Sequence, residues 1–279
     1  MNRETINHDR GRLRGRPVYV IDGVRTPFLK ARGRPGPFRA SDLAVAAARA
    51  LLMRLGVAPD LIDQVVLGCV SSGPDEANVA RVVALRLGCG DRVPAWTVQR
   101  NCASGMQALE SAALEIASGR SELVLAGGTE AMSHHPVMLN ELMVAWLGAW
   151  SQARSLGARG RALMQLRAGH FKPVIALLRG LTDPVAGLSM GQTAEELAER
   201  FGITRDAMDA YAVRSHQRLA EARENYRLDE IEPLYDSRGL VYEHDDGLRM
   251  DSSLEALARL RPVFDRPIGR VTAGNSAQV

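Results

Sequence analysis

Between residues 18 and 128, short apolar runs alternate with longer stretches whose apolar residues recur at helical spacing. Residues 18–21 (Val-Tyr-Val-Ile) form a β-branched and aromatic run ended by Asp22-Gly23, which predicts a strand. Ser41 stands where an N-cap belongs, ahead of an Ala-rich helix over 42–55 that stops at Gly56. A second strand is predicted over 64–70, a helix over 78–87 stopped at Gly88, and a third strand over 93–99. A third helix follows over 103–118, with Gly119 beyond its end, and then a fourth strand over 123–126 closed by Gly127-Gly128. Near-continuous apolar strands separated by helices predict an α/β fold with a mostly parallel sheet covered on both faces. Ligands of such sheets bind beyond the carboxyl ends of the strands.

The helix over 103–118 carries Met106, Leu109, Ala113 and Ile116 as one stripe, and its other positions are mostly Ala, Ser or Gly. That composition predicts a central helix which other backbones approach closely, rather than a surface helix. After Glu130 the alternation stops. Residues 136–183 hold Met138, Leu142, Trp146, Leu147 and Trp150 among many apolar side chains, interspersed with Arg154, Arg159, Arg161, Arg167 and Arg179. Two readings fit this basic amphipathic stretch: a surface that meets an anionic membrane or a partner protein, or a helical subdomain whose apolar face closes over the core. Further on, 191–200 reads as a helix and Thr204 caps a long one reaching about Asn225. Residues 231–235 read as a short strand, and Ser252 or Ser253 caps a helix over 254–260.

Composition narrows the class. The 279 residues are 46% hydrophobic and 24% charged, a globular balance with room for one large domain or two ordinary ones. No apolar run reaches membrane-spanning length and no secretory signal is visible. Three cysteines without CxxC spacing offer neither a disulfide framework nor a zinc site, which suits a reducing cytoplasm or, alternatively, the mitochondrial matrix. The net charge is only +3. Arg3, Arg10, Arg12, Arg14 and Arg16 crowd the first 16 residues, but Glu4 and Asp9 interrupt them, so a basic flexible tail is expected there. No basic patch is interleaved with aromatics, which excludes nucleic acid as a partner. His134-His135 lacks a third suitably spaced metal ligand, and residues 243–247 (Glu-His-Asp-Asp-Gly) lack the alternation of a calcium loop and are expected to form a solvated turn.

The candidate chemistry sits at Cys102. It follows the third apolar run and directly precedes the small-residue helix. A thiol at a helix start meets unpaired N–H groups and the positive end of the helix dipole, which favour the reactive thiolate. The same position also suits a small buried hydrophobe, as the apolar settings of Cys69 and Cys89 suggest for those two residues.

Residues 101–108 (Asn-Cys-Ala-Ser-Gly-Met-Gln-Ala) resemble the nucleophile motif of the thiolases, the acetyl-CoA acetyltransferases and 3-ketoacyl-CoA thiolases. Residues 22–28, 126–133, 190–195 with 215–218, 260–264 and 271–276 resemble further motifs of that family in the same order, so the resemblance runs from Val18 to the last residue. It implies a layered α-β-α core over 17–130, a helical loop domain over 131–270, and a return toward the core beginning at 271–279. It implies a ping-pong acyl transfer in which Cys102 takes the acyl group of a 3-ketoacyl-CoA, releases acetyl-CoA and passes the acyl group to free CoA. Coenzyme A is then a substrate, and no permanently bound cofactor is implied. Carried over by position, Met132, Ser189, Met190, Arg249, Ala273, Ser276 and Ala277 are candidate substrate contacts. The family forms dimers or tetramers. The stretch after Pro136 is most similar to thiolases of multienzyme β-oxidation complexes, where it meets a hydratase/dehydrogenase subunit or the membrane.

The sequence also departs from the family. The Gly-His-Pro, Gly-rich Cys and Asn-Glu motifs of the family's second half do not occur, nor does the strand that completes the first sheet. An unpaired sheet edge is therefore expected, as is little or no activity of this chain alone. A non-catalytic acyl-CoA-binding or subunit-docking role is the alternative. Ser189 and Ala277 replace a His and a Ser that short-chain members often carry, which points to longer acyl chains. A ketoacyl synthase would share the fold but not these motifs.

Overall fold

A computed structural model describes residues 15–31 and 33–277. Apart from Gly15 and Arg16, the basic tail expected over 1–16 lies outside the described residues. The chain divides into two compact units, the first running to His134 and including Arg218–Arg249, the second comprising His135–Gln217 and Met250–Ala277. Among the described residues no helix is long and apolar enough to cross a membrane.

The first unit is a three-layer α/β/α arrangement. Helix α1 (Ala40–Leu55) precedes strand β1 (Gln64–Gly68), and α2 (Val79–Leu87) precedes β2 (Ala95–Val98). Helix α3 (Ser104–Ala117) then leads to β3 (Val124–Gly128). The strands are parallel in the order β2-β1-β3. Because β1 is flanked on both sides, its apolar residues are buried from end to end. Alternation along the strand turns Val65, Leu67 and Cys69 toward one face, where they join Val45 and Leu52 of α1 and Val79 and Val83 of α2 in a single core. Gly68 faces the opposite side and meets the start of α3.

Four local expectations are corrected. Residues 18–21 form no strand, and Tyr19 and Val20 are 78% and 88% exposed. Among the described residues the outer edge of β3 has no strand beside it, and an apolar run without a neighbouring ladder gains nothing by pairing. Ser41 does not cap α1. It lies in the first turn, buried, where its N–H and hydroxyl both donate to the Glu76 carboxylate at 3.2 and 2.6 Å. Glu76 thus brings an anion to the N-terminus of the helix, a favourable placement on the dipole. Helix α3 is not central. Its small face (Ser104, Ala108, Ala112) packs inward while Met106 is 71% exposed and Leu109 and Leu114 are about half exposed.

The fourth correction concerns the acidic turn near 245, which is a clamp rather than a solvated loop. Asp245 is buried to 10% side-chain exposure and receives both terminal nitrogens of Arg25 at 2.8 and 2.9 Å. It also accepts the Phe28 N–H at 2.7 Å, and Asp246 accepts that of Lys30 at 2.8 Å. Arg25 bonds Glu230 as well, and its backbone bridges Glu230 and Glu232. The expected strand over 231–235 reduces to this bridge and a hairpin of Leu234–Tyr235 with Val241–Tyr242.

In the second unit, α4 (Glu141–Gln152) and α5 (Leu156–Met164) are capped by Asn140 and Ser155. Trp146 and Trp150 stack along α4, and the two helices meet through a Trp146 Nε1 bond to the Ala162 carbonyl at 2.7 Å and through Arg159 over Trp150. Only Met143 and Ala162 are buried on these two helices, and Leu142, Leu147, Leu163 and Met164 remain exposed. A short helix α6 (Ala176–Gly180) leads to α7 (Met190–Arg200), which Ser189 caps reciprocally with Gln192. Helix α8 (Arg205–Glu224) contributes residues to both units, and Ser253 caps α9 (Leu254–Ala258).

Burial works to raise the Asp245 carboxyl, but Arg25 and the Phe28 N–H outweigh it and hold it below the usual range. A depressed carboxylate stabilises the fold fully above its unfolded value of about 3.9 and loses that contribution as pH falls through the lower folded value. Asp245→Ala is expected to destabilise by about 2 kcal/mol at pH 7, because it leaves the partly buried Arg25 with Glu230 alone and frees the Phe28 N–H. The deficit should shrink as urea titrations are taken below about pH 4. Equal midpoints for the variant and the parent at pH 7 would refute the clamp.

Candidate active site

Cys102 occupies the apex of the turn between β2 and α3, two residues ahead of the first helical residue. The turn is tight. Asn101 adopts φ 49°, in the left-handed region that Asn tolerates better than most residues. The N–H groups of Ala103 and Ser104 bond back to the carbonyls of Arg100 and Asn101. The buried Ser104 hydroxyl locks the same turn, accepting the Arg100 N–H at 2.8 Å and donating to the Asn101 carbonyl at 2.6 Å. The Asn101 N–H is taken by the Gln99 side chain. These ties hold backbone, and among the described residues none engages the thiol.

Glycines set the turn onto the sheet. A Cβ on Gly68 would lie 2.3 Å from the Ser104 carbonyl carbon and 2.6 Å from the Gly105 nitrogen. A Cβ on Gly128 would lie 3.2 Å from the Gly105 Cα. The last residues of β1 and β3 therefore form a floor without side chains, and the first turn of α3 rests directly on it. This places Cys102 at the carboxyl edge of the parallel sheet, where its fold class puts ligands.

The three thiols differ sharply. Cys102 is exposed, whereas Cys69 and Cys89 are buried. Burial pushes the Cys69 thiol up, and the facing Glu130 carboxylate pushes it further. Burial likewise raises Cys89. Both are suited to remain inert thiols at neutral pH.

The other candidates are dispersed. Met132 lines a cavity in the first unit whose wall does not include Cys102. Arg249 ends the segment assigned to the first unit. Ser189 and Met190 cap and open α7 in the second unit. Ala273, Ser276 and Ala277 lie on or just after a turn that Asn275 organises. Its carbonyl oxygen accepts the Thr272 N–H at 2.8 Å, and its amide donates to Asp209 and to the Arg270 carbonyl, each at 2.9 Å. Ser276 Oγ donates to the Thr272 carbonyl at 2.7 Å. Within the second unit the remaining motifs do converge. Gly191 leaves room for the Phe264 ring, and the buried Glu195 carboxylate accepts the N–H groups of Arg270 and Val271. His134, one of the paired histidines, places Nε2 3.0 Å from the Gly36 carbonyl.

Sequence reasoning missed Asn101, Ser104, Gly68 and Gly128 as positioning residues. A glycine closing each of two apolar strands was the available sign.

Comparison with known proteins agrees with this geometry. The family profile described as thiolase, N-terminal domain, matches residues 18–279. A 3-ketoacyl-CoA thiolase of Yersinia pestis (strain Pestoides F) is 36% identical over 265 residues, 94% of this chain and 60% of the relative. The crystal structure of the Bacillus anthracis acetyl-CoA acetyltransferase superposes with a TM-score of 0.77 at 36% identity, covering 92% of this chain and 61% of that one. Human mitochondrial 3-ketoacyl-CoA thiolase in complex with CoA gives a TM-score of 0.77 at 34% identity, with 92% and 60% coverage. The chain thus spans about three fifths of the length of the relatives it matches.

Iodoacetamide at neutral pH is expected to alkylate Cys102 well ahead of Cys69 and Cys89, read by peptide mass spectrometry over a time course. Comparable rates at all three would refute the assignment of Cys102 as the accessible thiol.

Proposed function

The chain belongs to the thiolase family, and we propose that it carries the nucleophile-bearing part of a CoA-dependent acyltransferase that cleaves 3-ketoacyl-CoA in fatty acid β-oxidation. The observation that carries this reading is the exposed Cys102 on its glycine floor at the carboxyl edge of the sheet.

In the proposed reaction the Cys102 thiolate attacks the 3-keto carbon. A sulfur–carbon bond forms, the bond between C2 and C3 breaks, and acetyl-CoA leaves as its enolate, to be protonated at C2. The thiol of a second CoA, surrendering its proton, then attacks the acyl thioester, and Cys102 departs as thiolate with acyl-CoA released. Met132, Ser189, Met190, Arg249, Ala273, Ser276 and Ala277 are proposed to contact the acyl-CoA. The loss of the short-chain His and Ser at positions 189 and 277 favours longer acyl groups. The domain division into a core, a loop domain over 131–270 and a return from 271 belongs to the same proposal.

A homodimer or tetramer is proposed as the assembled form, in the cytoplasm or the mitochondrial matrix. The exposed apolar residues of α4 and α5, with six basic residues against one acidic residue over 136–180, support contact of this lobe with a hydratase/dehydrogenase subunit or a membrane surface. An acyl-CoA-binding or subunit-docking role for this chain by itself is the alternative proposal.

Incubation of the chain with an acyl-CoA should leave an acyl mass adduct on Cys102 and none on Cys102→Ser. Thiolysis turnover of the chain alone should fall about 10³-fold below that of a full-length relative, the scale of a lost general base. An adduct on Cys69 or Cys89, or none on any cysteine, would contradict the proposed nucleophile. Full turnover by the chain alone would contradict the docking role.

A further inference from the structure

A second feature of the first unit lies apart from Cys102. The segments 24–31 and 36–38, helix α1 and residues 128–133 enclose a cavity of about 510 Å³. That is within the range of small-molecule sites. Its walls are mainly apolar, with Val24, Leu29, Phe38, Leu43, Ala47 and Met132 among them.

The enclosing frame is tied down by polar contacts that do not use the cavity itself. Asp245 and Asp246 hold the N–H groups of Phe28 and Lys30. Ser133 Oγ accepts the Gly36 N–H at 3.1 Å and His134 Nε2 lies 3.0 Å from the Gly36 carbonyl. Thr129 Oγ1 donates to the Ala40 carbonyl at 2.7 Å, joining the loop after β3 to α1. Phe38 is steadied edge-on against Tyr242, with ring centroids 5.4 Å apart. A cavity with its walls fixed this way needs little ordering when a ligand enters.

Three charged side chains line the cavity, and two are already engaged. Arg25 is paired with Asp245 and Glu230. Glu130 accepts the Val70 N–H at 2.8 Å and faces the Cys69 thiol at 3.9 Å. The third is Lys30, a half-buried residue whose side chain makes no ion pair or hydrogen bond among the described residues. An ammonium at an apolar wall without a counter-charge calls for an anion carrying an aliphatic body.

We propose that this cavity binds a medium-chain aliphatic carboxylate, with its chain against the apolar walls and its carboxylate on Lys30. Cys102 does not line this cavity, although Met132, a proposed acyl-CoA contact, does, so binding here is tested separately from the acyl transfer. A free fatty acid and the acyl chain of a CoA thioester share the aliphatic body, but only the free acid offers the carboxylate.

The test is calorimetric titration of the full chain with decanoate, kept below its micellar range, and with decanol. Decanoate should bind saturably at one site, and Lys30→Ala should weaken it about tenfold while leaving decanol unchanged, the scale of one lost charge-assisted contact. Lys30→Arg should retain most of the affinity. Ala47→Phe, which fills the cavity, should weaken both ligands. Prior alkylation of Cys102 should change neither. No saturable decanoate binding, equal affinity in Lys30→Ala, or loss of binding on alkylation of Cys102 would each overturn the proposal. The acyl adduct on Cys102 is read separately by mass, so failure of one leaves the other standing.

Discussion

Backbone-on-backbone contact between the start of α3 and the ends of β1 and β3 is the constraint on which the candidate site depends. Gly68 and Gly128 present no side chains, so Ser104 and Gly105 come within distances that a Cβ would forbid. Interiors packed to this density do not yield gradually. The helix therefore has one seat, and the turn before it has little freedom. With Asn101 left-handed and the Ser104 hydroxyl bonded on both sides, Cys102 is lifted to the edge of the sheet and exposed. The other two cysteines fill space in the core and pay no part in this arrangement.

The same device recurs away from the thiol: a carboxylate or amide side chain captures backbone N–H groups and fixes a segment that has no ladder of its own. Glu76 holds the start of α1, Asp245 holds 25–28, Glu195 holds 270–271 and Asn275 holds the turn at 272. Buried carboxylates are costly unless their oxygens are satisfied, and here the acceptors are filled by main chain, by the Ser41 hydroxyl or by arginine. Segments with few regular hydrogen bonds thereby acquire defined positions. The walls of the cavity beside Lys30 are built from such segments, which connects its shape to the Arg25–Asp245 clamp.

Much of the first unit was legible in the sequence because its signals are local. Apolar runs of strand length, Asn78 at a helix start, and Gly56, Gly88 and Gly119 beyond helix ends correspond to the observed elements within a residue or two. The position of Cys102 ahead of a small-residue helix was equally readable. What could not be read depended on distant partners. Residues 18–21 have strand composition but, among the described residues, no neighbour to pair with. Ser41 resembles a cap until Glu76, 35 residues away, takes its N–H and hydroxyl. The acidic turn at 243–247 looks solvated until Arg25, 220 residues earlier, closes on it. The helix over 103–118 reads as central, yet only its small residues face the sheet and Met106 and Leu109 stay exposed, because only small residues allow the approach that the glycines permit.

The most direct measurement pairs two single substitutions, Gly68→Ala and Gly105→Ala, and follows both urea unfolding and the rate at which iodoacetamide modifies Cys102. A methyl on Gly68 collides with the Ser104 main chain, whereas one on Gly105 finds its nearest atom, the Gly128 Cα, at an ordinary 3.9 Å. The account predicts that Gly68→Ala loses about 2–3 kcal/mol and alters the Cys102 rate, while Gly105→Ala is neutral or slightly stabilising and keeps that rate. Equal tolerance of both substitutions, with the thiol reacting as before, would contradict the glycine floor as the feature that positions Cys102.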